Sequence, residues 1–140
     1  MIDVGAKPIV HRTAAAGATV RMTPAAAAAA AAGELPKGDA AAVAAVAGTL
    51  AAKRTPELLA LCHPLPIDAV EVEVDVEADA CVVRIMVRVT AQARTGVEME
   101  ALTAAAVAAL NVYDLVKGID PAVTIEDIRL LEKSKGQAGA

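Results

Sequence analysis

The stretch VEVEVDVEADACVVRIMVRV, residues 70–89, decides the fold. In both halves apolar residues alternate with charged or longer side chains, which is the pattern of a strand with one buried face. The short connection at residues 78–80 predicts that the two strands form an antiparallel hairpin. Because the outward side chains are acidic in the first strand and include Arg84 and Arg88 in the second, we expect them to pair across the hairpin.

Two alanine-rich helices are predicted before the hairpin. Around the alanine run at residues 25–32, Thr23-Pro24 supplies an N-cap and a helix-compatible first position, and Gly33 supplies a stop signal. Asp39 is suited to cap a second helix over residues 40–54.

The segment after the hairpin predicts one long helix and a last strand. Thr95 and Glu98 have the spacing of a capping box, and the helix is expected to run to about Lys117 and to end at Gly118. The last strand is predicted at residues 123–131. The apolar residues of the helix cover more of its circumference than contact with one sheet requires, which favours a homo-oligomer.

A further strand is predicted at residues 18–22, and it completes the order β-α-β-β-α-β. This order is typical of a ferredoxin-like α+β sandwich, with an antiparallel sheet and helices on one face. The N-terminal Ala-rich helix is extra to that plan. A length of 140 residues fits one domain, residues 1–140, in which residues 1–15 and 134–140 are expected to be flexible.

Composition excludes several classes of protein. Thirteen Lys and Arg against seventeen Asp and Glu give a net charge of −4, and Tyr113 is the single aromatic residue, so no stacking platform for nucleic acid is expected. No apolar run of about 18–20 residues and no signal peptide are recognisable, which predicts a cytoplasmic protein without a membrane partner. Cys62 and Cys81 are expected to be reduced in that compartment.

Polar residues at helix ends are the first candidates for chemistry. Asp114 and Lys117, three residues apart, share a helix face and are either an ordinary ion pair or an acid–base pair. Lys37 precedes Gly38 and a helix N-terminus, so it is either a solvated loop lysine or an anion-binding group. Glu98 is explained by capping alone.

His63 and Cys62 are the second candidates. The prolines that follow place His63 in extended or turn backbone just before a strand. There it is either a loop histidine without a function or an exposed side chain that takes part in binding or catalysis. Adjacent Cys62 and His63 match no zinc-ligand spacing, and this holds also when His11 and Cys81 are counted as further ligands. No metal site is therefore expected.

Six motifs occur in order along nearly the whole chain and, taken together, are specific. They are DVGAK at 3–7, LPKGD at 35–39, AKRT at 52–55, LCHPL at 61–65, RTGVEMEALT at 94–103, and Tyr113-Asp114 with Lys117. With these motifs the chain resembles the cyclic pyranopterin monophosphate synthase family, the C protein of molybdenum-cofactor biosynthesis. It departs from the family in the alanine run at residues 25–32 and at Val116.

The resemblance implies a lyase-type rearrangement without a redox cofactor. The family converts 3′,8-cyclo-7,8-dihydroguanosine 5′-triphosphate, a cyclised GTP product, into cyclic pyranopterin monophosphate and diphosphate. It implies a homohexamer, a trimer of dimers with active sites at the dimer interfaces. No cofactor is required, and whether magnesium accompanies the triphosphate stays open.

The resemblance also implies roles for individual residues. Asp114 corresponds to the catalytic acid/base, and Lys37 and Lys117 to active-site lysines. Proton exchange between a carboxylate and a lysine needs pKa values near neutrality, so close packing is expected to shift them that way. For Glu98 the resemblance implies a functional role in addition to its predicted role in capping. The substrate-binding positions are Arg12 for the triphosphate, and Leu61, Cys62, His63, Met99 and Glu100.

Two other classes of function remain open from the sequence. A ferredoxin-like module that senses a nucleotide would explain the cationic turns but would give Asp114 no task. A structural, oligomer-forming protein would tolerate loss of Lys37 and Lys117. In an enzyme, Glu100 and Asp114 lie fourteen residues apart on one predicted helix, roughly 21 Å at about 1.5 Å per residue, which predicts a site shared between two subunits.

Overall fold

A four-stranded antiparallel sheet in the order β2-β3-β1-β4 carries the main helices on one face. The computed structural model describes residues 1–136. The predicted α+β fold class is confirmed. The elements are β1 (Val10–Arg21), α1 (Pro24–Ala32), α2 (Ala40–Lys53), the short α3 (Thr55–Leu58), β2 (Ala69–Glu77), β3 (Val82–Ala93), α4 (Glu98–Val116) and β4 (Thr124–Lys135).

The hairpin of β2 and β3 is antiparallel, as predicted. Val83, Val87 and Val89 of β3 face the core and are fully buried, and the charged side chains point to the other face. Arg84 Nε donates to Glu77 Oε2 at 2.6 Å, as expected. Arg88 instead pairs with Glu132 of β4. Ala15 of β1 lies between them in the register, and its small side chain lets the two charges meet above it.

The first strand is longer than the prediction of residues 18–22. β1 spans Val10–Arg21 and pairs along both edges, with β3 and with β4. Its core face consists mostly of alanines, whose low strand propensity hides the pattern. Part of the segment 1–15 is therefore in the sheet, and so are residues 134 and 135. Residues 137–140 of the predicted flexible end lie outside the described residues.

The predicted capping box at the start of α4 is wrong. The helix begins at Glu98 with Val97 at the N-cap and no side-chain cap bond. Thr95 lies in a bend before it, and the Glu98 carboxylate instead lies over Gly96 and 3.5 Å from Lys133 Nζ. A Cβ on Gly96 would be 2.0 Å from Glu98 Oε2, so glycine leaves room for that carboxylate.

The other end of α4 lies within one residue of the predicted end at about Lys117. The helix ends at Val116, and the Val116 carbonyl accepts from the backbone N–H groups of Ile119 and Asp120 at 2.9 Å. Gly118 follows the C-cap residue Lys117 and does not adopt the left-handed conformation. By length and composition α4 is apolar enough to cross a membrane, but half of it is buried against the rest of the protein, as in a core helix.

Asp39 caps α2 as predicted, and this bond gives a stability test. Asp39 Oδ2 accepts from the Ala42 backbone N–H at 2.8 Å. We expect Asp39→Ala to lower the free energy of unfolding by about 1 kcal/mol, because an orphaned helix donor loses its acceptor. Chemical denaturation measures the change, with Asp79→Ala at an exposed position as the control. An equal loss in both variants would contradict a capping contribution.

Candidate active site

The predicted pair of Asp114 and Lys117 is part of a three-residue ion cluster. Asp114, in the last turn of α4, accepts on Oδ1 from Lys117 Nζ at 2.8 Å and from Lys37 Nζ at 3.1 Å. Lys37 comes from the loop between α1 and α2, 77 positions away in the chain. All three side chains are about half exposed, at 52–53%. The fold thus brings together the three residues assigned to catalysis.

The pKa values in this cluster move away from neutrality, which is opposite to the expected direction. Hydrogen bonds from Lys117, then Lys37, hold the pKa of Asp114 below its usual value. The hydrogen bond to Asp114 raises the pKa of Lys117. Opposite charges in contact stabilise each other's ionised forms, and water reaches all of them, so little desolvation opposes the effect. The pair is ionised at neutral pH, and it is lost as the pH falls through the lowered pKa of Asp114 or rises through the raised pKa of Lys117.

A second group joins the loop after α3 to the first turn of α4. Cys62 Sγ lies 3.6 Å from Glu100 Oε2. Glu100 is 1% exposed, whereas its neighbour Met99 and the loop residue Leu61 are exposed. Desolvation raises the pKa of Glu100, and desolvation together with the nearby Glu100 carboxylate raises the pKa of Cys62 to about 11. Five substrate-binding residues were predicted in this group: Leu61, Cys62, His63, Met99 and Glu100. Of these, Glu100 alone is fully buried.

His63 is displayed from irregular backbone, as predicted. Its Nε2–H donates to the Ile2 carbonyl at 2.7 Å, so the N-terminal segment lies against it. His63 lines two neighbouring cavities of about 280 and 300 Å³ with Val4 and Thr95. The side chain is half-buried at the mouth of space large enough for a small ligand.

Arg12, which the resemblance assigns to the triphosphate, lies in a cationic cavity. Its guanidinium donates to the carbonyls of Ala93 and Arg94 at 3.4 and 3.1 Å. The cavity, of about 330 Å³, is also lined by Glu98, Lys133 and Lys135. The two lysines were missed because β4 was predicted to end at residue 131. Their i, i+2 spacing, which places both on one strand face, is the signal that would have found them.

No metal centre is formed by the described part of the chain. Within residues 1–136 no group of three or more His, Cys, Asp or Glu side chains is placed to hold a metal ion. Cys62 and Cys81 are both free thiols.

The predicted site residues fall into two groups at opposite ends of α4. Asp114 and its lysines lie at the C-terminal end, and Glu100, Glu98 and the Cys62 loop lie at the N-terminal end. A continuous helix keeps the backbones of Glu100 and Asp114 roughly 21 Å apart. One chain therefore carries the predicted site residues as two separate groups, which we name half-sites.

This fold and these half-sites define a small α+β domain with a lysine-bound carboxylate at one end of its longest helix and a cationic cavity at the other. The chain belongs to the MoaC family, whose model matches residues 1–136. The predicted family is confirmed.

Curated relatives match this chain along 99% of its length. A protein of Thermomicrobium roseum is 52% identical over 139 residues, which are 84% of its own length. One of Herpetosiphon aurantiacus is 49% identical over 85% of its length. Both are named cyclic pyranopterin monophosphate synthase. A protein of Mycobacterium tuberculosis named cyclic pyranopterin monophosphate synthase 3 is 51% identical over 78% of its length.

Proposed function

We propose that this chain is a cyclic pyranopterin monophosphate synthase, a lyase of molybdenum-cofactor biosynthesis. It converts 3′,8-cyclo-7,8-dihydroguanosine 5′-triphosphate into cyclic pyranopterin monophosphate and diphosphate. Family membership supports the activity, and the observation that carries it is the convergence of Lys37 and Lys117 on Asp114. The activity is proposed for the whole chain as one domain.

Asp114 takes the role of acid/base in this proposal. Ring opening and reclosure require proton transfers, and a carboxylate next to an ammonium group can supply and accept protons. In the free chain both groups are half exposed and ionised. Substrate and a second subunit would cover them, and the resulting desolvation moves the pKa of Asp114 up and that of Lys117 down. Binding itself thus creates the proton-transfer pair.

Release of diphosphate requires cations near the phosphates. A ribose-derived hydroxyl forms a bond to the innermost phosphorus while the bond from that phosphorus to the diphosphate oxygen breaks, and the hydroxyl proton passes to a base. Lys37 and the cavity of Arg12, Lys133 and Lys135 offer positive charge to the departing anion. A magnesium ion, where present, would travel with the triphosphate.

The half-site at the N-terminal end of α4 binds the substrate. His63 lines two cavities and, when protonated, would contact a phosphate, and the exposed side chains of Leu61 and Met99 offer apolar surface. Cys62 and Glu100 complete this group, and Glu98 stays beside Lys133 at the edge of the cationic cavity.

We also propose that the chain forms a homohexamer, a trimer of dimers, with each active site at a dimer interface. The two half-sites cannot meet within one chain, and apolar residues exposed on α2 and α4, Val46, Leu50 and Leu110, are suited to burial between subunits. The proposed location is the cytoplasm, with no nucleic-acid or membrane partner.

Diphosphate release from the cyclised substrate tests the proposed function. Stoichiometric diphosphate with cyclic pyranopterin monophosphate is the expected result. Substrate binding without diphosphate release would instead indicate the nucleotide-sensing module. A stable oligomer that neither binds nor converts the substrate would indicate the structural protein.

His63→Ala is expected to weaken substrate binding more than the chemical step. Loss of one charge-assisted contact to a phosphate raises KM by about tenfold and lowers kcat only slightly. Steady-state kinetics separates the two constants, and His11→Ala, the other histidine, is the matched control. Normal affinity in His63→Ala would rule out its role as an anion contact.

A further inference from the structure

Asp120 is a buried carboxylate that belongs to neither half-site. It is 4% exposed and lies in the turn between α4 and β4. Its Oδ2 accepts from the Thr23 backbone N–H, and its Oδ1 accepts from the Ala122 backbone N–H, both at 2.9 Å. A carboxylate is retained in a protein interior when its oxygens are hydrogen-bonded, as both are here. The side chain thus joins two segments that are 97 positions apart in the chain.

At one end of this connection is the start of α1. Thr23 is the N-cap of α1, and its Oγ1 accepts from the Ala26 backbone N–H at 3.3 Å. The first turn of α1 contains no acidic residue, since the helix is Pro24 followed only by alanines. A negative charge at the N-terminal end of a helix stabilises that helix. Asp120 therefore supplies, from a distant segment, a charge that the alanine run lacks.

At the other end is the turn that closes α4. The backbone N–H of Asp120 donates to the Val116 carbonyl, and that of Lys117 donates to the Tyr113 carbonyl, both at 2.9 Å. The residue that binds the start of α1 thus follows Lys117 in the same hydrogen-bonded turn. α1 packs mainly against β2 and the turn at residues 78–80 rather than against α4. The Asp120 carboxylate is therefore a direct connection between α1 and the end of α4.

Both segments lead to the ion cluster at the C-terminal end of α4. Lys37 lies in the loop that follows α1, and its Nζ is 3.1 Å from Asp114 Oδ1. Both side chains are about half exposed, at 53% and 52%. An ion pair in water is too weak to hold two backbone segments in one arrangement. The separation of Lys37 and Asp114 is therefore set by buried contacts, among them the bond from Thr23 to Asp120.

We propose that Asp120 is a positioning residue for the reaction: by joining the start of α1 to the turn after α4, its carboxylate keeps Lys37 in contact with Asp114. Asp120 acts through the placement of these two segments. This inference rests on the proposed function for the reaction that the cluster performs. The bond from Thr23 to Asp120 does not depend on that function.

Carbodiimide crosslinking tests the placement without any enzyme assay. The water-soluble carbodiimide EDC activates a carboxylate, and an amine in contact with it forms an amide while the reagent leaves as a urea. Asp114 contacts two amines, so the ratio of its crosslinks to Lys37 and to Lys117 reports the position of the loop. Peptide mass spectrometry measures that ratio. Lys117 is the internal reference because it lies on the same helical turn as Asp114.

Loss of the Asp120 carboxylate is expected to lower the ratio of the Lys37 crosslink to the Lys117 crosslink. Asp120→Ala removes both acceptors and should lower it about fivefold, and Asp120→Asn, which keeps one acceptor, about twofold. Thr23→Ala is the matched control. It keeps the backbone N–H that Asp120 binds and removes only the Oγ1 cap of α1, so the ratio should not change.

Two results of the crosslinking would overturn the proposal. One is an unchanged ratio in the Asp120 variants, and the other is an equal fall in Thr23→Ala, which would mean that any weakening of α1 displaces Lys37. If Asp120→Ala does not fold, the ratio in Asp120→Asn decides.

Kinetics tests whether the placement serves the chemical step. Asp120→Asn should lower kcat about fivefold and change KM less than about twofold, because a displaced Lys37 misaligns the groups that act in the transition state. Val74→Ala, which removes methyl groups packed against the core from β2, is the control for lost stability and should leave kcat unchanged. A raised KM with unchanged kcat in Asp120→Asn, or the same loss of kcat in Val74→Ala, would contradict the positioning role.

The two experiments fail separately. Absence of diphosphate release by the unsubstituted protein would overturn the proposed function, and the crosslink ratios would still decide whether Asp120 keeps Lys37 against Asp114. Thermal unfolding of each variant establishes that the compared proteins are folded.

Discussion

Asp114→Asn is expected to reduce kcat for diphosphate release by roughly 10³-fold, because an amide neither accepts nor delivers the proton that a positioned carboxylate transfers. The amide keeps the size of the side chain, and the position is half exposed at the end of α4. The free energy of unfolding should therefore change little. Steady-state assays of diphosphate and denaturant unfolding, made on the same preparation, measure both quantities.

The two lysines of the cluster are expected to behave in the same way. Lys37→Ala and Lys117→Ala each remove a cation beside Asp114 and should abolish turnover while the protein still unfolds cooperatively. A solvent-exposed ion pair contributes too little free energy for its loss to unfold the domain. Loss of cooperative unfolding in all three variants would make the cluster structural and contradict its catalytic role.

Strands were predicted well from sequence only where apolar and charged side chains alternate. In residues 70–89 apolar residues alternate with charged or longer side chains, and the antiparallel hairpin was predicted. In β1 alanine and glycine carry little pattern, so residues 10–17, two thirds of the strand, were missed. Small residues in a central strand acquire their structure from two neighbours, β3 and β4, and a local pattern does not contain that information.

Errors at the ends of elements had consequences for the site. The spacing of Thr95 and Glu98 satisfies a capping box, but Lys133 of β4 attracts the Glu98 carboxylate, a contact between residues far apart in sequence. The same strand was predicted too short, which hid Lys133 and Lys135 from the list of cations near Arg12. A capping motif is read from a few neighbouring residues. It therefore fails when a charged partner from a distant strand, here Lys133, binds the capping carboxylate.

The residues of the site were predicted mainly from family resemblance, and their physical states were not. The resemblance grouped Glu100 with substrate-binding positions, but its burial arises because the Cys62 loop covers the first turn of α4. Likewise, contact between Asp114 and Lys117 was predicted from spacing, but the direction of their pKa shifts depends on exposure to water, which spacing does not determine.

Subunit mixing tests whether the two half-sites combine between chains. The continuous α4 separates Glu100 from Asp114 by roughly 21 Å, so a two-fold interface that pairs the N-terminal end of one α4 with the C-terminal end of its mate would build two composite sites. One inactive partner is Asp114→Asn. The other is the double variant His63→Ala/Glu100→Leu, assayed well below its raised KM.

Equal mixing with full exchange makes half of the dimers mixed, and each mixed dimer holds one undamaged site, so activity should recover to about a quarter of the unsubstituted value. Fluorescently labelled subunits verify the exchange. Mixing Asp114→Asn with Lys37→Ala is the matched control, since both changes lie in the same half-site and no combination restores it. Recovery in the first mixture alone would place the half-sites on different subunits. No recovery in either mixture, despite verified exchange, would mean that each chain builds its site alone, and the proposed dimer-interface site would be wrong.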